Sequence, residues 1–118
     1  MAKTVMLVDD SAFMRMIIKK ILIKNNYTVV AEGVDGNDGY EKYKQNKPDV
    51  VFMDVVMPNL GGIDCLKKIK ADFPDANVLM CSSAGQQSIV SDAIKNGAKG
   101  FIVKPFQEAK ILEELSKL

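Results

Sequence analysis

Apolar residues along this chain fall into two alternating patterns. Short continuous runs at Val5-Met6-Leu7-Val8, Val50-Val51-Phe52-Met53, Val78 to Cys81 and Phe101-Ile102-Val103 read as strands buried on both faces. A further strand fits Tyr27 to Glu32. Between these runs the apolar positions take helical spacing. Phe13, Ile17 and Ile21 recur every four residues, with Arg15, Lys19, Lys20 and Lys24 as the polar side and Asp10 or Ser11 placed to cap the helix. Tyr40 and Tyr43 follow the loop signal Asp35-Gly36-Asn37, and Ile63, Leu66, Ile69 and Phe73 follow a turn from Pro58 to Gly62. Ile89, Ala93 and Ile94 are expected to face inward on the next helix, which Gly97 would stop in a left-handed conformation. Ile111, Leu112, Leu115 and Leu118 mark the last, with Glu113 and Lys117 spaced for an i,i+4 pair. Five buried strands alternating with five helices predict an α/β fold with a parallel sheet covered on both faces. No linker, low-complexity tract or repeat interrupts the pattern, so one domain is expected over residues 1–118.

Charge and composition narrow the chemistry. The formal net charge is +1, and fifteen of the sixteen basic residues are lysines, with Arg15 the exception. Neither a global field for nucleic acid nor a set of base-reading arginines is present. The absence of histidine removes Ser-His and Cys-His catalysis, histidine-ligated zinc and a histidine base. Cys65 and Cys81 lie far apart in apolar stretches and read as small buried hydrophobes. No apolar run approaches the roughly 20 residues of a membrane span, and no signal peptide precedes the first strand, so no membrane association and a cytoplasmic location are expected.

What ends the strands is the informative feature. Strand one stops at Asp9-Asp10, strand three at Asp54, strand four at Ser82 and strand five at Lys104. In a parallel sheet these ends share one edge, where open α/β sheets bind ligands. Carboxylate charges about 5 Å apart repel by roughly 3 kcal/mol at an effective dielectric near 20, so proton uptake, Lys104 or a bound cation must offset them. Hard carboxylates without histidine or thiolate suit Mg²⁺. Taken singly, Asp9 and Asp10 could merely cap a helix, Asp54 could form a turn and Lys104 could be a solvated loop lysine, readings that the shared edge weakens; Ser82 by sequence alone reads as a strand-end turn serine.

Val8-Asp9-Asp10-Ser11, Met53-Asp54-Val55-Val56-Met57-Pro58 with Gly62, Ser82, and Phe101-Ile102-Val103-Lys104-Pro105-Phe106 fall in one register. Together they resemble the receiver domain of two-component response regulators over essentially the whole chain. Asp10-Ser11-Ala12-Phe13-Met14-Arg15-Met16 and Gly85-Gln86-Gln87 are similar to single-domain chemotaxis regulators of the non-enteric type. The resemblance implies a flavodoxin-like (βα)5 fold with strand order 2-1-3-4-5, an order that general fold rules already associate with such regulators.

By that resemblance Asp54 is the phosphoacceptor for a histidine kinase. Asp10, Asp54 and the carbonyl of Val56 would hold Mg²⁺, with Asp9 acting mainly through metal-bound water. Lys104 would bind a phosphoryl oxygen, Ser82 would be the switch hydroxyl in preference to Ser83, and Phe101 the switch aromatic, acting by packing alone because it lacks a hydroxyl; Phe101 could equally be plain core. Val56 and Ala84 cannot orient a hydrolytic water, which implies slow self-dephosphorylation and a dedicated phosphatase. The implied output partner is the flagellar motor switch protein, read by a monomer through helix four, strand five and helix five. Ser88, Ser91, Asp92, Lys95, Lys110 and Glu114 lie off the apolar stripes there and could equally be a solvated face. The resemblance further implies a cis peptide before Pro105. A phosphorelay receiver outside chemotaxis, a Mg²⁺-dependent aspartyl phosphatase and a flavin-binding carrier are the competing readings. The phosphatase lacks a second acid after Asp54, and the carrier lacks a phosphate-cradling loop at Asp9-Asp10. No DNA-binding segment follows Leu118, so direct transcriptional control is not expected.

Overall fold

The computed structural model describes residues 3–83 and 87–118. Strands β1 (Thr4–Val8), β2 (Thr28–Gly33), β3 (Val50–Asp54), β4 (Val78–Ser82) and β5 (Gly100–Val103) alternate with helices α1 (Ala12–Lys24), α2 (Gly36–Asn46), α3 (Gly62–Asp72), α4 (Gln87–Lys95) and α5 (Glu108–Ser116). The strands form one sheet in the order β2-β1-β3-β4-β5, every adjacent pair parallel. This is the flavodoxin-like topology that the resemblance implied.

The continuous apolar runs are explained by two-sided burial. Along β1, Met6 and Val8 face a core with Val51, Met53, Leu66, Ile69, Val78 and Met80. Val5 and Leu7 face the opposite core, with Ile18, Leu22, Phe52, Leu79, Ile102, Ile111 and Leu115. The central strands β3 and β4 are buried at every position. Burying each large side chain on such a strand stabilises the fold by about 1.5–3 kcal/mol.

Helix faces agree less closely with the periodicity. On α1 the buried residues are Ile18 and Leu22, while Phe13 is 63% exposed. A row repeating every four residues drifts by about 40° per step on a helix of 3.6 residues per turn. Its N-terminal member therefore rotates off the sheet, and the seam runs through Ile18, Ile21 and Leu22. On α4 Ala93 is the buried residue and Ile94, about 100° further round the helix, is turned to solvent.

Glu114, expected on the open partner face, is also corrected: it is only 6% exposed. Gly100 makes the room, since a Cβ there would lie 2.3 Å from Glu114 Oε1. Lys117 at 2.7 Å and Lys110 at 3.7 Å hold the charge. The expected Glu113–Lys117 pair forms at 3.7 Å. Gly97 takes φ +100°, a left-handed stop that a side chain would strain, and the Lys104–Pro105 peptide is cis. Ala84, Gly85 and Gln86 lie outside the described residues.

Candidate functional site

The C-terminal strand ends bring the predicted acids together. Asp9, Asp10 and Asp54 each offer a carboxylate oxygen, and these atoms lie within 4.8 Å of one another. Ser11, not an aspartate, caps α1, its side chain accepting from the Met14 amide at 3.3 Å. That largely frees the acids from the capping role, although Asp9 Oδ1 still accepts the Ser11 amide at 2.9 Å. Asp9 and Asp54 are buried, and Asp10 is exposed at the mouth.

Lys104 reaches this cluster from β5. Its Nζ lies 3.0 Å from Asp9 Oδ2 and 3.0 Å from Asp54 Oδ1, with the side chain 14% exposed. The backbone delivers it there: Ser82 pairs with Val103, and the Lys104 amide donates to the Ser82 carbonyl at 2.7 Å. Ser82 is buried at the same level, whereas Ser83 is exposed.

The Asp54 loop is closed from the other side by Gly62. Its amide donates to the Val55 carbonyl at 2.8 Å, and a Cβ on Gly62 would fall 2.0 Å from the Asp54 carbonyl oxygen. No side chain could occupy this contact without moving α3 off the end of β3. Val56 lies on the same loop and is 76% exposed, free of the core.

Burial pushes the Asp54 carboxyl above its ordinary range, opposed by its hydrogen bond to Lys104 and reinforced by the neighbouring charges of Asp9 and Asp10. Burial works against the charged form of Lys104, but hydrogen bonds to Asp9 and Asp54 outweigh it and raise the lysine above its usual value. One ammonium thus faces three carboxylates. The uncompensated negative charge, supplied by oxygen donors only, fits a small hard dication such as Mg²⁺.

Lys104 also lines a neighbouring hollow of about 550 Å³ with Val90, Phe101, Val103, Pro105, Gln107 and Lys110. Phe101 is partly buried against the core under α3 and α4. Ser88, Ser91, Asp92, Lys95 and Lys110 are exposed on this side, as the helix patterns predicted.

Arg15 was placed on the polar side of α1 by periodicity, yet its Nη1 donates to the Asp9 carbonyl and its Nε to Glu32 Oε1 at 2.9 Å. A single arginine in a lysine-rich chain was the one available signal.

A five-stranded parallel sheet presenting acids and a lysine at its C-terminal edge defines a receiver, and the family model described as response regulator receiver domain matches residues 5–116. The chain belongs to that family. Within it, the chain is similar to the chemotaxis protein CheY of Bacillus subtilis (strain 168), 54% identical over 117 residues, covering 99% of this chain and 98% of the relative. CheY of Thermotoga maritima is 50% identical over 118 residues, covering 100% of this chain and 98% of the relative. Among solved structures, the CheX-CheY-BeF3-Mg²⁺ complex from Borrelia burgdorferi matches with a TM-score of 0.95 at 34% identity, covering 98% of this chain and 87% of that one. The chain is a receiver closely resembling chemotaxis CheY proteins, and the flavin-carrier and phosphatase readings lose their support. No helix among the described residues is long and apolar enough to cross a membrane.

Proposed function

We propose that this chain is a stand-alone chemotaxis response regulator, phosphorylated on Asp54 by a histidine kinase in a Mg²⁺-dependent reaction. The observation that carries the reading is the convergence of Asp54, Asp9 and Asp10 within 4.8 Å, with Lys104 Nζ 3.0 Å from two of them.

Asp54 is the nucleophile. A carboxylate oxygen attacks the phosphorus of a phosphohistidine, the O–P bond forms, the P–N bond breaks, and the departing imidazole takes a proton from solvent. Asp10, Asp54 and the Val56 carbonyl would hold Mg²⁺, with Asp9 behind a water. When bound, the cation offsets charge on the equatorial oxygens of the transferring group. Lys104 exchanges one of its carboxylate partners for a phosphoryl oxygen, which alters its place at the rim of the Phe101 hollow. Ser82 supplies a hydroxyl at the same strand level, and Phe101 responds through packing.

The relative solved in complex with CheX, BeF3 and Mg²⁺ supports both the cation and a separate protein partner. The names of the relatives support chemotaxis and, with it, the flagellar motor switch as output. The surface would be Ser88, Ser91, Asp92, Lys95 and Lys110, on a cytoplasmic, monomeric single domain. Val56, apolar and exposed beside Asp54, leaves hydrolytic water unoriented from its side, so an external phosphatase would set the phosphorylated lifetime.

Intact mass after incubation with a small-molecule phosphodonor tests this. One phosphoryl group is gained with Mg²⁺ and not with chelator, and Asp54→Asn abolishes the gain. Equal labelling of the variant would overturn the assignment.

A further inference from the structure

The side chain of Arg15 is 14% exposed and spans two acceptors. Nε donates to Glu32 Oε1 at 2.9 Å, and Nη1 donates to the backbone carbonyl of Asp9. Glu32 is itself held: Lys19 Nζ lies 2.6 Å from its other carboxylate oxygen, and Lys42 Nζ donates to its carbonyl at 2.6 Å. Arg15 is thereby anchored on the end of β2 while it grips the bend after β1.

We propose that Arg15 is a positioning residue for divalent-cation binding, holding the peptide between Asp9 and Asp10 so that the Asp10 carboxylate is aimed into the site. This deepens the Mg²⁺ reading above and rests on it. A peptide unit is planar, so a fixed carbonyl oxygen also fixes the N–H and Cα of the next residue. The other groups of Asp9 are already held: its amide donates to the Gly33 carbonyl at 3.0 Å, and its carboxylate accepts from the Ser11 amide at 2.9 Å and Lys104 at 3.0 Å. The carbonyl is the remaining degree of freedom, and it governs Asp10, the exposed acid of the cluster. A planar guanidinium can serve the carbonyl and Glu32 together in fixed directions, which a lysine cannot.

The direction of the effect separates this role from two others. A guanidinium bonded to the Asp9 carbonyl repels a dication in the adjoining site through space, so a purely electrostatic role predicts tighter Mg²⁺ binding when the charge is removed. A purely structural role lowers the melting temperature and leaves the affinity of the folded protein unchanged. Positioning weakens binding.

The test is a Mg²⁺ titration of the unphosphorylated full chain followed by ¹H–¹⁵N spectra, which also report folding. Arg15→Met is expected to weaken binding about tenfold, the lower end for loss of a group that orients a metal ligand. Arg15→Lys recovers part of that loss, and Glu32→Gln, which keeps the guanidinium, costs less than Arg15→Met. Equal or tighter binding by folded Arg15→Met overturns the proposal. If that variant does not fold, Arg15→Lys decides: an affinity matching the wild type overturns it, and a measurable weakening supports it. Failure of the wild type to bind Mg²⁺ would instead remove the reading of the site on which the proposal rests.

Discussion

At the strand ends, Asp9, Asp54 and Lys104 are buried and tied together by two 3.0 Å ion pairs, with α3 pressed against the Asp54 loop at Gly62. On the neighbouring face the packing is looser: α4 buries Ala93 alone, whereas α3 buries Gly62, Cys65, Leu66 and Ile69. Ile94 and Val103 are exposed there, and a hollow lies beside Phe101. Lys104 belongs to both regions. A group that forms and breaks bonds needs fixed geometry. A surface that must change shape has to be drawn from the less stable parts of the fold. The difference between the regions assigns the first task to the crevice and the second to the α4–β5–α5 side.

Substitutions should affect the two regions unequally. The largest effect is expected at Gly62→Ala, where a new Cβ would meet the Asp54 carbonyl oxygen at 2.0 Å. Overpacking against backbone should cost about 3 kcal/mol in urea unfolding. It should also lower phosphodonor labelling, because Asp54 moves with its loop. A smaller loss is expected for Lys104→Met, which leaves Asp9 and Asp54 buried without their cation. Removing one partner of a fully buried pair costs about 3–5 kcal/mol, and the open Asp10 side reduces this to about 2 kcal/mol in chelator. Added Mg²⁺ should recover part of it, as a rise in the urea midpoint larger than in the wild type. The smallest effect is expected for Ile94→Ala, within about 0.5 kcal/mol of the wild type because its side chain is outside the core. A loss above 1 kcal/mol there would show that α4 is better anchored than its burial implies, and the contrast between the regions would fall.

Other features were readable to different depths. The buried strands were legible because two-sided burial demands apolar residues at every position, and each terminator stood where the run stopped. The cysteines were legible as core for the same reason. Burial pushes the Cys65 thiol up to about 12 and Cys81 higher still, so neither is a ready nucleophile. Helix faces were less legible. Phe13 and Ile94 fit an amphipathic row, but whether a row's edge touches the sheet depends on helix rotation and length. Glu114 looked solvated because acids usually are; Gly100, fourteen positions earlier, opens the space that admits its carboxylate.

By itself the sequence determined the alternation of strands and helices, the acids and lysine at the strand ends, and the exclusion of histidine- and thiolate-based chemistry. These follow from local rules, since burial pattern and residue type are properties of short segments. Only the tertiary structure decided that Lys104 bridges Asp9 and Asp54 and that Arg15 grips the Asp9 carbonyl. Those contacts join residues from separate elements, and their existence depends on strand order, helix rotation and the space left by neighbouring side chains, none of which is encoded at any single position.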